Sequence, residues 1–329
     1  MVRYAWAMPR FTITGGRIIL EIDSDCGAGI SDLSLLSPQG EPTPLLRRAP
    51  GSGFGSEQMG CFIMAPWTNR LEGARFVWGG TRYNLEPSHH DGTAIHGDVR
   101  DRPWSIRHRS PCSAVLEFDS RAHEDVNFPF AFTAQVRYEV TPAGIDVDLI
   151  LSNVSDREMP AGCGLHPYFM RRLWCDDDAV EVRIPVMGRY PAEGCLPLGP
   201  AACDATCDRL RSGGPLGAIE LDDVFSMNRF EAEMRWPASG VSVTLAASEN
   251  VGHVVVYAPN AAPGQHSPRR WFCVEPTTMV NNGFNLVDRG FPDVGVRPIA
   301  PGQSLAVRFQ LRLGFDTHEG SAGSRERRI

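Results

Sequence analysis

The sequence predicts an all-β fold, a large antiparallel β-sandwich. Apolar and polar residues alternate with a period of two over long stretches. Glycine and proline number 33 and 26 among 329 residues, enough to close many turns. No segment beyond about ten residues keeps the 3.6-residue period of an amphipathic helix.

The strands follow in order along the chain. Residues 17–22 form the first candidate. Residues 74–85 read as a hairpin, because Gly79-Gly80 separates two aromatic-rich runs and takes positive φ without strain. Residues 114–118 are next. The stretch 130–140 places Phe130, Phe132, Ala134, Val136, Tyr138 and Val140 on one face, with Thr133, Gln135, Arg137 and Glu139 on the other. A turn over 141–144 follows, and 145–151 resumes the alternation, so the pair is a β-hairpin. Residues 180–184, 241–246, 253–257, 271–274 and 305–313 complete the set. The Gly-, Pro- and Cys-rich stretch 185–220 has strands on both sides and reads as an excursion within one domain. A single domain is expected over 1–315, with a frayed polar tail over 316–329.

Hydrophobic residues are 42% and charged residues 22%, which excludes a disordered chain. A net charge of −7 gives no footprint for nucleic acid or an anionic membrane. No apolar run reaches the ~18 residues of a membrane span, and no secretory signal is legible. A cytoplasmic protein, monomeric or homodimeric, is expected. The nine cysteines are irregularly spaced and fit reduced thiols better than a disulfide framework. Cys195, Cys203 and Cys207 have loose metal-like spacing but no histidine nearby, and His89-His90 reads as a surface turn.

Candidate chemistry starts with His166-Pro167 and Glu275-Pro276. A residue before proline is driven toward extended backbone, so both side chains stand on strands beside apolar runs. A histidine and a carboxylate so held can form an acid/base pair. The bland alternative is a core histidine bonded to backbone and a glutamate paired with an arginine. Asn69-Arg70 precedes the first hairpin, and the arginine fork suits a hydroxyl-rich or anionic ligand. His96-Gly97 follows, with the glycine read as room for a ligand against the backbone. Met and aromatic residues on the strands are assigned to the core.

Taken together these pieces resemble the aldose 1-epimerase (galactose mutarotase) family: Asn69-Arg70 with Gly73, Phe76, Gly80, Tyr83 and Leu85; His96-Gly97 with Trp104; His166-Pro-Tyr-Phe169; Leu221-Asp222-Asp223-Val-Phe225; and Glu275-Pro276 with Asn285. They stand in the family's order over about residues 11–313. The resemblance implies a galactose mutarotase-like supersandwich that interconverts sugar anomers without metal or organic cofactor. It implies Glu275 as the base for the C1 hydroxyl, His166 as the acid for the ring oxygen, and His96 as a second histidine nearby. Arg70, Asp222 and Asn69 are its substrate-binding candidates. A carboxylate near His166 is expected to raise its pKa enough that little further tuning is needed.

The sequence departs from that pattern at Asp98, where the family usually carries a second glycine, and in EPTTMVNNGFN, which lacks an acidic residue some mutarotases carry there. Arg100 and Arg102 follow His96 as candidate anion-binding residues, like the basic cluster of the hexose-6-phosphate epimerase branch. The alternative is that they pair with Asp98 or Asp101. The expected activity is that of an aldose 1-epimerase. Two other readings are a hexose-6-phosphate 1-epimerase and a non-catalytic carbohydrate-binding protein on the same fold.

Overall fold

The computed structural model of the protein describes residues 9–51, 53–217, 219–259 and 269–316. Residues 317–329 of the expected tail lie outside them. Two large antiparallel sheets form the body. The second sheet has eight strands and is built on the hairpin read from the sequence, Phe132–Thr141 with Gly144–Asn153. Its register runs from Phe132 opposite Asn153 to Thr141 opposite Gly144. Phe132, Ala134, Val136, Tyr138 and Val140 are buried, while Gln135 and Arg137 are exposed, as the alternation predicts.

The first sheet has ten strands. Five of them position the site: β1 (Cys61–Met64), β2 (Gly164–Met170), β3 (Leu221–Ser226), β4 (His253–Ala258) and β5 (Trp271–Thr277). They lie side by side in the order β1-β2-β5-β4-β3. Alternate residues face opposite ways, so one strand serves two environments. Leu165, Pro167, Phe169 and Pro276 look inward and share one interior space with Ile145, Val147, Leu245 and Phe309 of the second sheet. Burying each large apolar side chain there stabilises the fold by about 1.5–3 kcal/mol. The intervening residues, His166, Tyr168, Cys273 and Glu275, face away from the second sheet.

Among the described residues the two α-helices are short. Within the 185–220 excursion the chain forms α1 (Ala205–Ser212), which the strand pattern did not reveal. Its signal is local: Asp204 caps the N-terminus by accepting from the Cys207 amide at 3.0 Å, and Gly213 closes it at φ 73°. The other helix, α2 (Gly283–Asp288), follows β5 and packs Phe284 on Phe76 of the first hairpin, ring centroids 5.2 Å apart. Among the described residues no helix is long and apolar enough to cross a membrane.

Two buried polar groups show how the interior is satisfied. The Tyr138 hydroxyl donates to the Ala28 carbonyl at 2.8 Å. The His253 ring lies between the Thr278 carbonyl at 3.2 Å and the Tyr190 hydroxyl at 3.1 Å. Burial pulls the His253 pKa down to about 4. The unfolded chain therefore takes a proton below the ordinary value of 6.5 that the folded chain refuses until about pH 4. Stability rises with pH across that window and is lost as pH falls through it, by about 3 kcal/mol for this residue. Chemical denaturation of His253→Gln at pH 7 and pH 4.5 should show a smaller difference than wild type. An unchanged difference would remove His253 from the acid response.

Candidate active site

His166 and Glu275 meet because their strands are neighbours in register. Gly164 lies opposite Thr277 and Tyr168 opposite Cys273, so the residues midway, His166 and Glu275, fall opposite each other. Proline has no amide to give a ladder, which makes it rare in a central strand. Here Pro167 and Pro276 both sit in that middle stretch, and the rungs on either side hold the register. His166 Nε2 lies 3.2 Å from Glu275 Oε1, with both side chains almost wholly buried. His166 Nδ1 and Glu275 Oε2 are buried without a hydrogen-bond partner among the described residues. An unpaired polar atom in such a place costs about 1–3 kcal/mol, and a ligand hydroxyl would relieve it.

The expected electrostatics are corrected here. The carboxylate does lie beside His166, but burial dominates both groups. It pulls His166 down to about 3, with the positive charges of Arg47 and Arg100 adding to the effect. Burial pushes Glu275 well above the usual carboxylate range, with Asp222 adding and Arg70 opposing. Desolvation thus favours a pair without net charge, holding one labile proton between oxygen and nitrogen.

His96 stands against this pair. Its ring centroid is 5.1 Å from that of His166, edge to face, and its Nδ1 is 3.0 Å from Met64 Sδ. The backbone that aims it is unusual, with His96 at φ 63° and Gly97 at φ 76°. The room beside Gly97 is taken by the chain itself and not by a ligand. A Cβ there would lie 2.0 Å from the Ala65 carbonyl oxygen. Burial also holds the His96 pKa well below its ordinary value, with the charge of His166 next in effect.

Arg70 reaches the site through the short pairing of Arg70 with Ile95, next to His96. Asn69 Oδ1 accepts from the Arg70 amide at 2.8 Å and Nη1 at 3.3 Å. Asp91 accepts from Arg70 Nε at 2.9 Å and lies 2.9 Å from His89 Nδ1, so the turn that carries His89 and the exposed His90 is tied to Arg70. Asp222 is exposed on β3, opposite Tyr257 of β4. Its charge and that of Arg70 both act on Glu275. Glu275, His166, His96, Arg70 and Asp222 are therefore near one another, with Asn69 held against Arg70.

Arg100 and Arg102 take the structural alternative. Arg102 is 3.0 Å from Asp98 and also pairs with Asp125; Arg100 is buried 3.3 Å from Glu57 and 3.4 Å from Asp101. Asp98, where the pattern departs, holds Arg102 and accepts from the Asn127 amide at 3.0 Å.

Several residues here were not anticipated. Tyr168 stacks on His166 with centroids 4.6 Å apart, Trp271 meets Tyr168 edge-on at 4.8 Å, and Arg47 lies 3.6 Å over the Tyr168 ring. Tyr168 is buried in a small apolar cluster with Phe62, Met64 and Cys273, against which the half-buried Trp271 packs, and the two stand two and four residues from His166 and Glu275, on the same face of their strands. The hairpin of Ala192–Glu193 and Leu196–Pro197 brings Cys195 to the site, where its carbonyl accepts from Asn281 Nδ2 at 2.9 Å and its Sγ lies 3.8 Å from the Asp222 carbonyl. Nothing in the sequence pattern announces that approach.

Two sheets in this order, with a buried His–Glu pair on the outward face of one, make a β-sandwich that carries a candidate acid/base site. The family model for aldose 1-epimerase matches residues 11–304, and the chain belongs to that family. An uncharacterized protein of Escherichia coli K12, YphB, is 26% identical over 313 residues, covering 93% of this chain and 99% of that one. Among solved structures, a galactose mutarotase-like protein from Clostridium acetobutylicum superposes with a TM-score of 0.77 at 20% identity, covering 93% and 95% of the two chains. Galactose 1-epimerase from Lactobacillus acidophilus gives 0.69 at 16% identity, covering 95% and 98%. Both share the fold.

Proposed function

We propose that this protein is an aldose 1-epimerase acting on an unphosphorylated sugar, and the observation that carries the reading is the buried contact between His166 and Glu275. Ring opening needs one group to take a proton from the C1 hydroxyl while another gives one to the ring oxygen. The two pKa shifts leave the pair's labile proton on Glu275 before the sugar binds; moved to His166 as the sugar binds, it leaves a carboxylate to take one proton and an imidazolium to give the other. Glu275 takes the O1 proton, the C1–O5 bond breaks, C1 becomes an aldehyde, and O5 receives the proton of His166. Rotation about C1–C2 presents the other face of the carbonyl. O5 then attacks, its proton returns to His166, and Glu275 gives its proton to O1, so the other anomer leaves and the enzyme is as it began. The protein's net charge returns to its starting value with every turnover, which suits a site with little water to solvate a surplus charge.

In this reading His96 would hold the ring oxygen or the C1 hydroxyl, and Arg70 and Asp222 the remaining hydroxyls. Arg100 and Arg102 already have carboxylate partners, which favours an unphosphorylated sugar over a hexose 6-phosphate. Proton NMR of freshly dissolved α-galactose and α-glucose should show anomer exchange accelerated in proportion to protein. Exchange at the spontaneous rate with both, and with arabinose, would leave the non-catalytic binding reading in place. Millimolar phosphate should leave the rate untouched.

The exposed Asp222 offers a separate test. Losing a hydrogen bond from a sugar hydroxyl to a carboxylate at this exposed edge should raise KM about tenfold in Asp222→Ala. The effect on kcat should be small by comparison, because the contact exists before and during ring opening. A kcat that collapses with KM unchanged would assign Asp222 to the chemistry instead.

A further inference from the structure

We propose that His166, Cys273 and Glu275 form a binding site for a zinc-type divalent cation, which enters as an inhibitor competing with the sugar. The three side chains are buried, and their ligand atoms all lie within 4.8 Å of one another. The strand pattern explains why. Cys273 and Glu275 are two residues apart on β5 and share a face. Cys273 lies opposite Tyr168, and His166 is the next residue of β2 on that face.

Imidazole nitrogen, thiolate sulfur and carboxylate oxygen are a donor set that zinc takes in tetrahedral sites. Bond lengths of about 2.0–2.3 Å put the ligand atoms of such a site roughly 3.3–3.6 Å apart. His166 Nε2 and Glu275 Oε1 already stand 3.2 Å apart. With all three ligand atoms within 4.8 Å, closing Cys273 Sγ onto the same ion needs a movement of no more than about an ångström. The three side chains face away from the second sheet, so a fourth ligand would have to come from that side, where the sugar of the proposed reaction would also lie.

Charge balance favours the exchange. The ion brings two positive charges, and the thiol of Cys273 and the carboxyl of Glu275 release two protons to solvent, so a dry site keeps its net charge. Magnesium and calcium seek six or more oxygens and have no such set here.

Binding itself does not depend on the epimerase reading; the inhibition does. The test uses the full-length protein with cobalt(II) as an optical probe and zinc as competitor. Wild type should develop a thiolate-to-cobalt charge-transfer band, bind one metal per chain in equilibrium dialysis, and lose the band when zinc is added. Cys273→Ala and Cys273→Ser should lose the band and bind zinc at least tenfold more weakly, with circular dichroism reporting that each is folded. Cys203→Ala, on the surface, should behave as wild type. Absence of the band in wild type, or its survival in a folded Cys273 variant, overturns the proposal. In the anomer-exchange assay zinc should raise the apparent KM for sugar. If wild type binds zinc through Cys273 yet accelerates no anomer exchange, the epimerase reading falls and the metal site stands.

Discussion

Glu275→Gln should lower kcat by about 10²–10⁴ while the protein remains folded. The substitution keeps the size of the side chain and an oxygen beside His166, but it removes the atom that takes the O1 proton. The loss should fall on kcat and leave KM within a few-fold of wild type, because the missing interaction belongs to the transition state. His166→Asn should behave in the same way. The double variant should lose far less than the product of the two single losses, since each group is idle without the other. Stability should hold or rise, because Glu275 Oε2 and His166 Nδ1 are buried without partners and the fold gains little from them. A Glu275→Gln protein with full turnover would show that the base lies elsewhere, with His96 the next group to test.

Gly97→Ala should be the most damaging small substitution near the site. The added carbon would lie 2.0 Å from the Ala65 carbonyl oxygen and 2.4 Å from its carbon, both backbone atoms. The residue also holds φ 76°, where an L side chain is strained. Overpacking and left-handed strain together should cost about 2–4 kcal/mol. Relief requires the segment carrying His96 to move, so activity should fall along with stability. Gly80→Ala in the first hairpin provides the comparison. Gly80 is also left-handed, at φ 75°, but nothing lies within 4 Å of its would-be Cβ. It should lose only the strain component, about 1 kcal/mol, and keep its turnover. Equal losses at the two positions in chemical denaturation would show that the close approach to Ala65 does not matter.

The strands were legible wherever one face is dry and the other wet, because alternation then has a physical cause. The hairpin of Phe132–Thr141 and Gly144–Asn153 is the clearest example. α1 was not legible, since eight residues span barely two turns and its signal is confined to Asp204 and Gly213. In the site, the prolines after His166 and Glu275 pointed to extended backbone, and the resemblance joined the pair across more than 100 residues of chain. The direction of their titration was not legible. It depends on how much water the folded chain excludes, and no local pattern records that. Arg47 and Cys195 escaped for a related reason: each arrives from a distant loop, and only the tertiary path brings it there.

The opposition of His166 and Glu275 across two neighbouring strands also sets terms for how such a gene can change. Point substitutions at most positions of β2 and β5 alter one side chain and leave the rest in place. Removing or adding a single codon in either strand is different in kind. It would turn His166 or Glu275 into the apolar layer and bring Leu165 or Val274 out to replace it. No compensating substitution elsewhere restores the meeting of nitrogen and oxygen, because the error lies in the count of residues and not in their identity. Lineages of this fold should therefore vary freely in the length of the connections between these strands while keeping the lengths of the two strands themselves fixed.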